Sequence, residues 1–201
     1  MLENIFHQFS LLEALGAAFG VVQVILSRKN NVNNYLFGIA GILIGIWIYF
    51  QHKLYADILL NLYYLIMSIY GWFYWKFGKK QKETPISYST KKNYFTAISI
   101  SVLCFTLMAY WLKFHTDSDV PIWDALVAAF AWGGMWLMAK RKIENWIFLN
   151  LSNLVVIPLL VYKGLYIYAG LSVFLFIMGI SGYLKWRNIY NQNKLNDLKT
   201  T

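Results

Sequence analysis

The residues best suited to recognise a small molecule fall in two stripes. Over 60–75 the chain reads LNLYYLIMSIYGWFYW, in which Asn61, Tyr64, Ser68, Trp72 and Trp75 recur at steps of three or four. That spacing puts them on one face of a helix. A second stripe, Trp146, Asn150, Asn153 and Ile157, has the same period. Amides and a hydroxyl set among indoles and phenols are equipped to hold a flat ring between aromatic faces and to read its polar edge. A buried amide is costly without a partner, so these asparagines face protein or a cavity rather than hydrocarbon. For any single asparagine, hydrogen bonding between helices is as good a reading as ligand contact. For two stripes that each carry tryptophan, the expectation is a substrate site made from Asn61, Tyr64, Ser68, Trp72, Trp146, Asn150 and Asn153. Trp75, at the end of its block, is shared between that face and an aromatic belt at a membrane surface.

The elements that position these stripes are apolar blocks. Of 201 residues 59% are hydrophobic and 13% charged, and the mean hydropathy is +0.46. Ordinary soluble domains carry about 25% charged residues. The blocks run over 10–27, 34–51, 55–77, 92–114, 120–139, 145–162 and 165–187. A helix needs about 20 residues to cross a bilayer, and backbone groups in lipid must be satisfied within the segment. The alternating pattern of an outer-membrane barrel is absent. The fold class is therefore all-α integral membrane, with seven transmembrane helices. The start, MLENIFHQFS, lacks a positive n-region and a cleavage motif, so the first helix is expected to stay. The polar stretch 78–91 divides the chain as 3 + 1 + 3: a first triplet over 10–77, a linking helix over 92–114, a second triplet over 120–187, and a tail over 188–201.

Charge orients this bundle. Only Lys53, Lys113 and Lys163, of 18 Lys and Arg, fall at one set of block ends; the rest fall at the other. The positive-inside rule then puts the N-terminus outside and the C-terminus in the cytoplasm. The same distribution argues against nucleic acid as the partner of a chain with formal charge +9, because its cations flank apolar blocks rather than line a groove.

A shift of 111 positions aligns the two triplets without a gap. EALGAAF (13–19) meets DALVAAF (124–130), and KNNVNNYLF (29–37) meets KRKIENWIF (140–148). Met67, Gly71 and Trp75 meet Met178, Gly182 and Trp186. A second triplet placed directly after the first would be inverted; the linking helix restores its orientation. The halves are expected to be parallel and SWEET-like, with a permeation path near their interface.

The chemistry of an enzyme is missing. All nine carboxylates (Glu3, Glu13, Asp57, Glu83, Asp117, Asp119, Asp124, Glu144, Asp197) fall in loops or near block ends. Glu13 and Asp124 are repeat equivalents in the first turns of their helices, where a carboxylate is electrostatically favoured; capping and packing come before a substrate role. Glu144 and Asn145, opposite Asn33 and Asn34, read as caps. Ion-driven carriers generally need a mid-membrane acid or base. His7, His52 and His115 are scattered, Cys104 stands alone, and no metal-ligand or catalytic spacing is present. Neither a metal nor a cofactor is expected. Gly38, Gly41 and Gly45 give one helix a face for close packing, which also makes a homo-oligomer conceivable. Pro158 opposes Trp47 of the first half and is a candidate hinge.

These residues also carry a resemblance. YADILLNLYYLIMSIYGWFYW (55–75) preceded by HKL, with RKIENW (141–146) and YKGLY (162–166), resembles the PnuC vitamin transporters over about residues 11–187. The resemblance implies a seven-helix carrier in the bacterial inner membrane importing nicotinamide riboside by facilitated diffusion, trapped by phosphorylation inside. A sister branch, PnuT, is linked to thiamine. The family's helix-6 signature is a WxxW pair; here Trp146 is followed by Leu149. Asn61 stands where riboside transporters often have Gln, and Gly41 where Asn is common. The expected function is thus uptake of a ring-bearing vitamin, nicotinamide riboside before thiamine or riboflavin, with a non-transporting membrane receptor as the alternative of a different class.

Overall fold

The computed structural model describes residues 11–51, 55–78 and 83–199. It consists of α1 (Leu11–Arg28), α2 (Asn34–Gln51), α3 (Tyr55–Phe77), α4 (Lys91–His115), α5 (Pro121–Ala139), α6 (Asn145–Tyr162) and α7 (Tyr166–Lys199). Local chemistry sets the boundaries. Thr90 caps α4, its side chain accepting from the Asn93 N–H at 3.3 Å. α5 opens on Pro121, whose missing N–H costs nothing in a first turn. Three of the connections turn through residues with positive φ: Asn30 (58°), Arg141 (56°) and Gly164 (73°). Pro158 lies inside α6, which continues through it.

All seven helices are long and apolar enough to cross a membrane. Their outward faces are apolar: Leu43, Trp47 and Phe50 on α2, Leu59, Ile66 and Phe73 on α3, and Phe95, Val102 and Leu107 on α4 are all exposed. In water such a surface would aggregate; against lipid tails it is the required finish. The chain is a multi-pass membrane protein with seven spans.

Within each triplet, consecutive helices pack on each other. α3 packs on α5 and α1 on α7, so six helices close into a ring, and α4 lies against α5. The α3–α5 seam is fixed by Tyr63, whose ring stacks on Trp132 at 4.0 Å while its hydroxyl donates to the Trp132 carbonyl. The two ends of the ring differ in charge. One end carries Glu13, Asp57, Asp124 and Lys163; the other carries Arg28, Lys76, Lys140, Arg141 and Lys142. They are called the acidic and basic ends below.

Helix α7 differs from expectation. Its apolar part ends near Arg187, yet the helix continues to Lys199. Its 34 residues correspond to about 51 Å at 1.5 Å per residue, well beyond a hydrocarbon core of about 30 Å. Hydropathy marks where a helix leaves lipid, and the polar residues from Asn188 onward simply keep the helical conformation outside it.

Candidate functional site

The two triplets together line a central cavity of about 260 Å³. Its wall takes Gln23 and Val24 from α1, Ile42 from α2, Tyr64 from α3, Ala131 and Met135 from α5, Leu175 and Gly179 from α7. The largest share comes from α6: Trp146, Leu149, Asn150, Ser152 and Asn153. No described residue in this lining is charged.

Polar groups in the wall divide by whether the protein already occupies them. Ser152 donates to the Val127 carbonyl at 2.9 Å. The Asn150 amide, oriented to satisfy both neighbours, donates to the Phe176 carbonyl and accepts from the Ile180 N–H, each at 3.2 Å. It lies directly on Gly179, where a Cβ would collide with it, so Asn150 is committed to holding α6 against α7. Gln23, Tyr64 and Asn153, by contrast, have no hydrogen-bond partner among the described residues for their side-chain polar groups. The Trp146 Nε1–H is buried and also unpartnered. Polar groups left open around one cavity are the provision of a site for a polar ligand.

A second cavity, of about 290 Å³, lies toward the acidic end. Gly16 and Gly20 of α1, Gly38, Gly41 and Gly45 of α2, with Tyr49, Asn61, Glu13 and Tyr168, line it. Gln23 and Ile42 line both cavities, so the two are adjacent. Small residues keep this region open. A Cβ at Gly20 would meet nothing within 4 Å.

The basic end is filled instead. Trp75 and Trp186 are fully buried with ring centroids 5.5 Å apart. Each bonds across to the other half: Trp75 Nε1–H donates to the Met138 carbonyl and Trp186 Nε1–H to the Ser27 carbonyl, both at 3.0 Å. Tyr35 and Trp146 brace the pair edge-on, at 5.1 Å from Trp75 and 5.6 Å from Trp186. Both braces need glycine opposite: a Cβ at Gly71 would lie 2.5 Å from the Tyr35 side chain, and one at Gly182 would lie 2.6 Å from the Trp146 ring. Arg141 covers the plug, its guanidinium 4.5 Å from the Trp75 ring. It donates to the Thr84 carbonyl and, at 2.9 Å, to the Asn30 side chain. Burial lowers the Arg141 pKa, an effect that Glu83 and Tyr35 oppose.

The linker joins this end. Ser87 and Lys142 form an isolated parallel bridge, the one β-type pairing among the described residues. The Glu144 carboxylate accepts from the Ser89 N–H at 3.0 Å, the Ser89 hydroxyl at 2.7 Å and the Tyr94 hydroxyl at 3.0 Å. Sequence alone makes Glu144 a cap for α6; in the structure its side chain caps nothing and anchors the linker. Asn34 and Asn145 brace the turns before their helices, donating to the carbonyls of Asn31 and Lys142 at 2.7 and 2.6 Å. Asp124 pairs with Lys163 at 2.9 Å and accepts from the Ser118 hydroxyl.

Of the residues marked by spacing, Tyr64, Trp146, Asn150 and Asn153 come together around the central cavity. Asn61 lies in the second cavity, its amide donating to the Asp57 carbonyl at 2.9 Å. Ser68 and Trp72 line neither. Ser68 is buried with its hydroxyl unpartnered, and Trp72 packs on Phe73 and Phe77 with the Lys76 ammonium 4.9 Å from its ring. Gln23 was not among the residues marked by spacing, although Ser27 stands one turn after it on α1. His7, His52, Lys53, Lys79, Lys80 and Lys82 lie outside the described residues.

The family profile described as Nicotinamide mononucleotide transporter matches residues 10–188. The chain belongs to that family. It is a family of membrane transporters, not of enzymes. The chain is 23% identical to the nicotinamide riboside transporter PnuC of Escherichia coli (strain K12), over 90% of this chain and 87% of that one. It is 25% identical to PnuC of Neisseria mucosa, over 77% of this chain and 61% of that one. A crystal structure of the vitamin B3 transporter PnuC superposes with a TM-score of 0.72, at 21% identity, covering 95% of this chain and 86% of that chain. That likeness extends the seven-helix fold to this family member.

Proposed function

We propose that this protein imports nicotinamide riboside across a bacterial inner membrane by facilitated diffusion with alternating access, the substrate being trapped by phosphorylation inside. The observation that carries this reading is the uncharged central cavity, walled by Trp146 and Tyr64, in which the side-chain polar groups of Gln23, Tyr64 and Asn153 remain open. Nicotinamide riboside presents a flat cationic ring, a carboxamide and ribose hydroxyls. Aromatic faces attract such a ring by about 0.5–2 kcal/mol per contact, and amides and phenols suit its polar edge. A wall without a carboxylate holds the cation loosely enough for release. Family membership and the two relatives named for this substrate support the choice.

In this reading Trp146, Tyr64 and Asn153 contact substrate, Asn150 positions α6, and Asn61 stands at the entrance. Ser68 and Trp72 lie beyond the cavity, on the α3 face leading to the basic end. The acidic end and the N-terminus face outward and the basic end faces the cytoplasm, as the distribution of Lys and Arg supports. Pairs of lining residues 111 positions apart, namely Val24 and Met135, Ile42 and Asn153, and Tyr64 and Leu175, support two parallel repeats with the cavity on their axis. Asn61 in the wall of the second cavity, where the resemblance leads one to look for glutamine, favours thiamine as the second reading.

Thermal-shift titrations of the purified protein with nicotinamide riboside, thiamine and riboflavin rank the ligands, and proteoliposome uptake of the best one tests transport. Trp146→Ala and Asn153→Ala are each expected to reduce uptake at least tenfold. Wild-type proteoliposomes that accumulate none of the three vitamins would sink the proposal.

A further inference from the structure

The two halves present a matched frame to the cavity but opposite chemistry. Ile42 faces the lining where Asn153 stands in the second half, and Leu175 stands where the first half has Tyr64. At the next pair the sizes are exchanged as well. Gln23 on α1 lies over Gly38 on α2, and a Cβ at Gly38 would sit 2.7 Å from the Gln23 amide. The equivalent positions are Gly134 on α5 and Leu149 on α6, and there the leucine lies over the glycine, 2.8 Å from its would-be Cβ. Both Gln23 and Leu149 reach the central cavity, one as an amide and the other as a hydrocarbon. Gln23 also lines the second cavity, so its amide stands at the junction of the two. It has no hydrogen-bond partner among the described residues.

We infer that Gln23 is a specificity-determining residue, whose amide reads a paired donor and acceptor edge on the substrate ring as the ring passes from the second cavity into the central one. A primary amide donates through nitrogen and accepts through oxygen in one plane. The ligand group that answers both is another planar edge with one donor and one acceptor, such as a ring carboxamide. A pocket built to hydrogen-bond a group rejects the analogue lacking it, because its own polar atoms are then left unpaired. Gly38 is part of the device, since only a residue without a side chain leaves room for the amide. This inference rests on the riboside reading above and adds which residue sees the carboxamide.

The experiment compares nicotinamide riboside with pyridine riboside, which keeps the cationic ring and sugar and lacks the carboxamide, by calorimetric titration of the purified full chain. Wild type is expected to prefer nicotinamide riboside by about tenfold or more, the scale of one or two lost hydrogen bonds. Gln23→Met keeps the length of the side chain and removes its amide; it is expected to lose that preference while binding pyridine riboside as wild type does. Gly38→Ala, which displaces the amide with Gln23 intact, is expected to lower the preference in the same direction. Ligand-free unfolding temperatures of both variants check that the fold is retained. A Gln23→Met protein that keeps the full preference overturns the inference and leaves the riboside reading standing. A wild type that binds neither riboside overturns both.

Discussion

The acidic and basic ends of the ring are built from the same two triplets and resolve the space between them in opposite ways. At the acidic end Gly41 lies close against the α1 backbone, a Cβ there falling 3.4 Å from the Gly16 carbonyl oxygen, while beside it Gly20 opens on a cavity. At the basic end glycines are also present, but each receives an aromatic ring: Gly71 takes Tyr35 and Gly182 takes Trp146. A glycine in a membrane helix therefore has two uses, close approach and reception of a large side chain, and the partner helix decides between them. The crossed bonds of Trp75 and Trp186 add that each half holds the other's helix end, at Met138 and Ser27. These carbonyls belong to the last turns of α5 and α1, where intrahelical partners run out.

The largest test of this contrast removes the plug. Trp75→Ala and Trp186→Ala are each expected to cost about 3–5 kcal/mol, the range for deleting a buried large aromatic, measured by denaturant or thermal unfolding in detergent. In proteoliposomes of a Cys104→Ser background, either change should also let an impermeant thiol reagent reach Ala131→Cys from the basic side. Unchanged protection would mean that the plug does not seal. A smaller effect comes from Gly71→Ala and Gly182→Ala, each expected to destabilise by about 1–3 kcal/mol because the added methyl overpacks against Tyr35 or Trp146. Stability equal to wild type in both would show that these rings shift freely. The smallest effect is at the open end. Gly20→Ala meets no neighbour within 4 Å and is expected to be neutral or stabilising by up to about 1 kcal/mol from helix propensity. A marked loss of stability there would mean that α1 and α2 close on each other more tightly than the cavity implies.

The seven helices were legible because hydropathy and length are one-dimensional properties. Four of the cavity residues stood out for a related reason: Tyr64, Trp146, Asn150 and Asn153 belong to stripes of helical period, and a period is visible along a chain. What spacing could not separate was their roles. Asn150 and Asn153 lie on the same α6 face, yet Gly179 draws Asn150 onto the α7 backbone and leaves Asn153 open to the cavity. Trp72 keeps the period of its stripe while packing on its own helix neighbours, because a stripe of helical period does not say how far along the helix the cavity extends. Gln23 was invisible since its environment is supplied by Gly38 and by the other half. Glu144 looked like a cap because its partners Ser89 and Tyr94 are about 50 positions away.

The docking of the linker divides the molecule unequally. From Ser87 onward the linker is bound to the turn before α6, and α4 lies against α5. Upstream, Thr84 is bonded to the end of α3, its N–H donating to the Trp75 carbonyl at 3.0 Å and its hydroxyl to the Tyr74 carbonyl at 2.7 Å. The linker is thus tied to α3 at Thr84 and to the second half at Ser87 and Ser89, with only Pro85 and Ile86 between Thr84 and Ser87, so α4 is joined to the three helices that follow it rather than to the three before.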